Sequence, residues 1–600
     1  MNSIIPILIA VMAVACAADV HHVPADFDSI GEAVEAAQPG DSIAIKPGTY
    51  HECVALKGSI ALEGENPEAC ILDGRGEDAL VTVSGSAQIS GITIRGAKTG
   101  ILVKAGASLE LDHCRIIGNE TDGVGFETAF NTDILVRDCL VAENGDGIDL
   151  ESTQGAILDT RFENNRDDGL DFDGDAGVLV YDCTFADNRD DGIEIRIATR
   201  THALIQKCRF ERNGEDGIEI INSPKKEGIY NLVCVQNSRF DSNARYGVGF
   251  VVHEEEVATE AFSKTAVCAA GNTFVGTGEG AVSANYAPVF EADKDYPKNV
   301  RAVFAREGKQ SVQAAPVRVP ILVGVYNLRP TTDGTMASDV EGVAVSDQGV
   351  FVADDNNRMV YVLDPRTGQV VRSIPTKPFA DSPYSALGPE GLDIISDGDR
   401  QALLLADDDG KSLYTLSLDP EAFGHVIGRQ DTTEIGAVEG AEMIRGRLVL
   451  AANRAGLYET AADPLHQTRP PVEITFDGFG AHIAGVGASD NDGHVFITVS
   501  GYAGADQKWR NHGSAFVELD PQLDTVAGFW HLGPFSNDPR GIAVSDGLVY
   551  VADGRSDFKD DRTGEVNRGG IKVFVFLMQD DPGLLLRALP TLPLWRKDTR

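Results

Sequence analysis

The chain has 600 residues, 42% of them hydrophobic, with 64 glycines and a formal net charge of −41 at pH 7. That length exceeds what one core supports, so two or more domains are expected, and the glycine content suits turn-dense β architecture. The charge excludes nucleic acid as a natural partner, because a phosphate backbone calls for a basic face.

Ile4 to Ala15 is an apolar run followed by the small residues Cys16, Ala17 and Ala18. Residues 1–18 read as a signal peptide cleaved near Ala17 or Ala18, although no Lys or Arg precedes the run. Cys16 sits in a partial lipoprotein box, with Ala13 where a larger aliphatic is usual. The expectation is export to a secreted, periplasmic or cell-surface location, with a lipid anchor at Cys16 as the alternative. No later apolar run reaches transmembrane length.

Ser29 to Gln38 places Ile30, Ala33, Val34 and Ala37 at helical spacing and stops at Pro39-Gly40. A strand over 41–46 and a turn over 47–50 follow. Six segments then align on Cys114, Cys139, Thr160, Cys183, Cys208 and Ser238, 21 to 30 residues apart. Two residues later each has a hydrophobe: Ile116, Val141, Phe162, Phe185, Phe210, Phe240. Five residues later each has asparagine: Asn119, Asn144, Asn165, Asn188, Asn213, Asn243. A glycine follows every one, from Gly123 to Gly247.

A unit of this size cannot bury its own apolar side, so the units must stack. Asparagine is expected to tolerate a left-handed turn and to ladder between coils, and the glycine to supply positive φ. The helix over 29–38 would cap the open end. Cys114/Cys139 and Cys183/Cys208 read as stacked buried thiols, and Cys53–Cys70 as the better disulfide candidate.

The helix, the stretch PGDSIAIKPGTY and the coils together resemble the pectin-lyase-like superfamily over roughly residues 24–290. The resemblance implies a right-handed parallel β-helix over 19–300. It implies no single activity, since that superfamily holds lyases, hydrolases, esterases, epimerases and proteins of no known chemistry.

Residues 301–318 lack the coil signature and read as a linker. Over 319–600 a longer unit recurs, anchored at Glu341-Gly, Glu390-Gly, Glu439-Gly, Ala484-Gly and Arg540-Gly. Each anchor opens a run of short strands, such as Val350–Asp354 and Met359–Pro365, so the unit predicts the blade of a β-propeller. PRGIAVSDGLVYVADG (539–554) resembles NHL and gluconolactonase-type blades. The fold class is thus all-β, a β-helix followed by a five- or six-bladed propeller. The strand at 320–327 either belongs to a sixth blade or closes the ring.

Candidate chemistry lies in an acidic column. Asp149, Asp171, Glu194 and Glu219 each stand two residues after a coil glycine, between inward hydrophobes, and alternation points them outward. A turn column, Asp146, Asp168, Asp191 and Asp216, runs beside them and reads first as Asp-Gly turn chemistry. Carboxylates stacked about 5 Å apart repel unless solvated, protonated or bridged by a hard cation such as Ca²⁺. Arg196, and Lys225 and Lys226 on the insertion after Glu219, are candidate bases. Acids, Ca²⁺ and such a base are the parts of uronide β-elimination, and the same acids suit a hydrolase.

In the second half, Glu341, Glu390 and Glu439 converge on the expected axis. The gluconolactonase resemblance implies a divalent cation there, but Ala484 and Arg540 break the pattern, and Arg540 is placed to pair with a glutamate instead. Three readings stand. One is a polysaccharide- or cell-surface-glycan-interacting protein, Ca²⁺-dependent and, if an enzyme, a lyase or glycoside hydrolase. The second is a non-catalytic scaffold whose propeller docks a protein partner. The third is a metal-dependent, lactonase-like propeller.

Overall fold

The computed structural model describes residues 19–592 except 128–131, 175, 198–200, 223–230, 253–264, 284–297, 329–338, 366–367, 380–381, 398–399, 453–455, 463–464, 477–481, 490–491, 501–513, 534, 537, 555–556, 560–565, 569–571, 580 and 589–591. The signal segment, Cys16, Lys225 and Lys226 lie outside the described residues.

From Val20 to Val282 the chain winds through three parallel sheets of 11, 10 and 10 strands, each coil adding a strand to every sheet. Register places like over like, with Phe162, Phe185, Phe210 and Phe240 on successive strands. Their rings stack with centroids 4.7–5.1 Å apart, and Phe274 extends the stack. The helix Ile30–Ala36 covers the first coil, burying Ile30 and Ala33. Ser29 Oγ accepts from Glu32 N (3.1 Å), and the Glu52 carboxylate accepts from Ile30 N and Gly31 N (3.0 and 2.8 Å), satisfying donors that a helix start leaves open.

The asparagines form a buried ladder. Asn188 Oδ1 accepts from the backbone N and Nδ2 of Asn165 (3.1 and 3.0 Å), while Asn188 Nδ2 donates to Asn213 Oδ1 (3.1 Å). The turn is built differently from expectation. The positive φ belongs to the residue before each asparagine, as at Asn164, Asp187 and Arg212. The coil glycines serve close approach instead, for a Cβ on Gly169 would lie 2.6 Å from Gly192 O and 2.8 Å from Phe185 Cδ1. All eight cysteines among the described residues are free thiols. The expected Cys53–Cys70 bond is absent because Cys70 points into the core, its thiol donating to Ile45 O (3.4 Å), while Cys53 is exposed.

The second half consists of antiparallel strand sets. Two are separate four-stranded sheets, Val340–Pro375 and Pro389–Asp431. A third starts at Val438–Ile444, a fourth at His482–Ala488 and a fifth at Pro539–Ser545. The fifth is completed by Ile321–Asn327, which pairs with Lys572–Leu577. The first strands meet at five glycines. A Cβ on Gly342, Gly391, Gly440, Gly485 or Gly541 would fall 2.1–2.8 Å from the next first strand, and Gly541 abuts Gly342.

Residues 301–318 are not a linker. Asn299–Arg306 and Lys309–Arg318 form a hairpin whose first strand pairs with Val472–Phe476 and whose second pairs with Val526–His531. It joins the third and fourth sets into one 11-stranded sheet. Val300, Ala302 and Phe304 alternate into the core, whereas the second strand is largely exposed and therefore polar in sequence. The two halves are also packed together. Leu158, Leu179, Tyr181, Leu204 and Leu232 on the outer face of one β-helix sheet share a core with Leu322, Val323 and Phe574. Gln236 bridges the joint, donating to Pro320 O (3.1 Å) and accepting from Leu322 N (3.2 Å).

Candidate functional site

Each coil turn places two acids side by side. Asp146, Asp168, Asp191 and Asp216 ladder through the backbone, each Oδ1 accepting the N–H of the matching residue on the next coil. The links are Asp168 N, Asp191 N, Asp216 N and Tyr246 N, at 3.0, 2.7, 2.6 and 2.7 Å. This column ties the turns together, as the turn reading expects, and builds a line of carboxyls into the wall.

The neighbouring strands carry Asp149, Asp171, Glu194 and Glu219 in unbroken register. Glycine stands at both ends of the column, Gly125 before Asp149 and Gly249 after Glu219. The strand Ile193–Ile197 shows why the acids face outward: Ile193, Ile195 and Ile197 are buried, while Glu194 and Arg196 are not. Oδ1 of Asp149 and of Asp171 are buried with no hydrogen-bond partner. Oxygens of Asp191, Glu194 and Glu219 lie within 4.8 Å of one another, as do those of Asp167, Asp168 and Asp190.

Burial, reinforced by neighbouring acids, pushes these carboxyls up. Asp149 is raised to about 7, Asp168 to about 8, Asp171 to about 9 and Asp191 to about 10. Asp146 and Asp216 reach about 6, and Glu194 and Glu219 are raised as well. At neutral pH the strip needs protons or a bound cation. Multiple oxygens at loose angles suit Ca²⁺.

Two arginines divide the strip. Arg196 lies 2.7 Å from Glu194 and 3.8 Å from Asp173. That pairing holds its guanidinium charged and opposes a role as base. Arg245, absent from the sequence expectation, reaches Glu219 (3.3 Å) and Asp216 (3.8 Å) and pairs with Glu215. Its signal was available: it stacks on Glu215, Asp190 and Asp167, where the earlier coils carry acids. Asp149 and Asp171 remain the end of the column that no arginine pairs among the described residues.

In the second half, Glu341 and Arg540 form a buried pair (3.2 Å), and Arg540 Nε lies 3.0 Å from Asp538. Burial raises Glu341 to about 8 against the pull of Arg540, and burial beside Glu341 raises Glu390 strongly. Glu439 pairs with His482 and adds to the negative charge around Glu390. Asp492, His494 and Glu518, not singled out in the sequence, form another group within 4.8 Å, with His494 Nδ1 2.6 Å from Glu518.

A family profile described as a right-handed β-helix region matches residues 49–159 and 145–262. This part of the chain is a right-handed β-helix. The β-helix profile stops short of the second half, and no curated protein matches the sequence. Similar solved structures include a glutaminyl cyclase of Myxococcus xanthus, with 16% identity over 43% of this chain and 96% of that one, TM-score 0.29. An alginate lyase of a Paenibacillus species has 17% identity over 44% and 99%, TM-score 0.28. A pectate lyase has 15% identity over 44% and 77%, TM-score 0.29. Among the described residues no helix is long and apolar enough to cross a membrane.

Proposed function

We propose that the protein is exported and binds an acidic polysaccharide along the β-helix, with Ca²⁺ held by the column Asp149–Asp171–Glu194–Glu219 and bridging to sugar carboxylates. The observation that carries this reading is the register column itself, with buried Asp149 and Asp171 oxygens that lack partners. Ca²⁺ is favoured toward Asp149 and Asp171, because Arg196 and Arg245 already offset Glu194 and Glu219. If the protein is an enzyme, uronide elimination is the first choice. Arg196 is engaged, so the base falls to Lys225 or Lys226.

The test is calorimetry of Ca²⁺ binding with a thermal melt. A site filled at one hundred times its Kd adds about 2.7 kcal/mol of stability. Asp171→Asn should remove most of that gain. A wild-type titration without a saturable shift would end the metal reading. Absorbance at 235 nm on a panel of polyuronates, with and without Ca²⁺, separates a lyase from a binding protein.

A second reading concerns the other half, which we infer to be a five-bladed β-propeller. The five glycines in a closed ring and the closing strand Ile321–Asn327 support it. A docking platform for a protein partner suits its axis better than a metal-dependent lactonase with Glu341, Glu390 and Glu439 as ligands, since Arg540 supplies the positive charge beside Glu341.

A further inference from the structure

The hairpin that fastens the third and fourth strand sets carries Lys298, Arg301, Arg306, Lys309 and Arg318 against one acid, Glu307, in a chain of net charge −41. At its tip three arginines from separate elements gather on one buried carboxylate. Glu459, 4% exposed, lies 3.0 Å from Arg447, 2.9 Å from Arg469 and 3.7 Å from Arg306. Arg447 also donates to Pro521 O (2.6 Å), which fixes its guanidinium. Arg306 is different. Its Nη1 and Nη2 are buried, and no hydrogen-bond acceptor reaches either among the described residues. Three guanidinium groups face one buried carboxylate, and the only other acid acting on them is Asp524, whose charge is felt by Arg306 and Arg469 and leaves the three cations in excess among the described residues. The nearby Asp520 is turned back on its own loop, accepting from Asp524 N and Thr525 N.

A guanidinium fork without an acceptor, beside two held in place, is the donor arrangement that binds oxyanions. We propose that Arg306, Arg447 and Arg469 form an oxyanion site taking a carboxylate, sulfate or phosphate group. Glu459 is its positioning residue, holding the three cations together without cancelling them. The site is independent of the acidic strip: it lies in the second half of the chain and needs no metal.

The experiment is calorimetric titration of the full chain in chelator, so that no divalent cation contributes. The probes are sodium sulfate, inorganic phosphate and a short oligogalacturonate, each against chloride at matched ionic strength. One saturable site is expected, and the tightest probe identifies the source of the oxyanion. Arg306→Gln should weaken it about tenfold or more. Arg469→Gln, in a connection outside the main sheets, should do the same while leaving the melt close to wild type. Lys309→Gln, at the exposed hairpin turn, should change nothing. Absence of a saturable site in the wild type would overturn the proposal. So would wild-type affinity in Arg469→Gln, or equal weakening by Lys309→Gln, which would mark diffuse charge attraction.

Discussion

Asp171 sits between Asp149 and Glu194 with one oxygen sealed from water and unpaired, which is why burial raises it to about 9 from 3.8. The folded form therefore keeps a proton over a range where the unfolded chain has lost it. This contribution to stability is complete below about pH 4, declines as pH rises, and is gone above about pH 9. In chelator the melting temperature should thus be higher at pH 5 than at pH 8.5. Ca²⁺ should flatten that dependence by replacing the proton, and Asp171→Asn should flatten it without Ca²⁺. The asparagine ladder makes a different demand. Asn188 is buried and tied to both neighbours, so Asn188→Ala should cost about 1–3 kcal/mol in denaturant melts. Both columns were legible in the sequence because each coil repeats them at one offset. Arg245 is harder to read, because a single substitution in a repeat is weak as a pattern, though not as a charge.

At the scale of elements, the hairpin over 299–318 is where sequence reading failed. Its first strand alternates, but Arg306 breaks the apolar face begun by Val300, Ala302 and Phe304, and its second strand is polar because it lies on the surface. What makes it structure is the pair of sheet edges it joins. Phe304 is 3% exposed in a core shared with Phe476 and Phe529. Phe304→Ala should therefore cost about 3–5 kcal/mol by equilibrium unfolding, where a linker position would cost almost nothing. The coil glycines carry a similar lesson: their presence was legible, but their reason was steric clearance and not backbone sign.

At the scale of the molecule, the outer face of one β-helix sheet loses its polar alternation where the second half covers it. Ser108–Asp112 alternates, whereas Gly177–Tyr181 and His202–Gln206 are buried throughout. The signal was in the sequence, as GVLVY and HALIQ against SLELD, and it predicts a partner for that face. Residues 19–297 expressed alone should expose Leu179, Tyr181 and Leu204, bind a hydrophobic dye and self-associate on size exclusion. A monomeric, dye-silent fragment would contradict the shared core. In the full chain, melts followed by probes in each half should coincide.

The sequence by itself determined the stacked coils, their inward and outward columns and the recurring strand sets. Those features repeat locally, and a period of 21 to 30 residues with fixed offsets leaves one register that buries every apolar column. Only the tertiary structure decided that 301–318 fastens two strand sets, that Ile321–Asn327 completes the last, that Glu341 is the glutamate Arg540 meets and that three arginines meet at Glu459. Each joins positions far apart in the chain through one unrepeated contact. Its energy comes from burial and charge at a place that exists only after the sheets have closed.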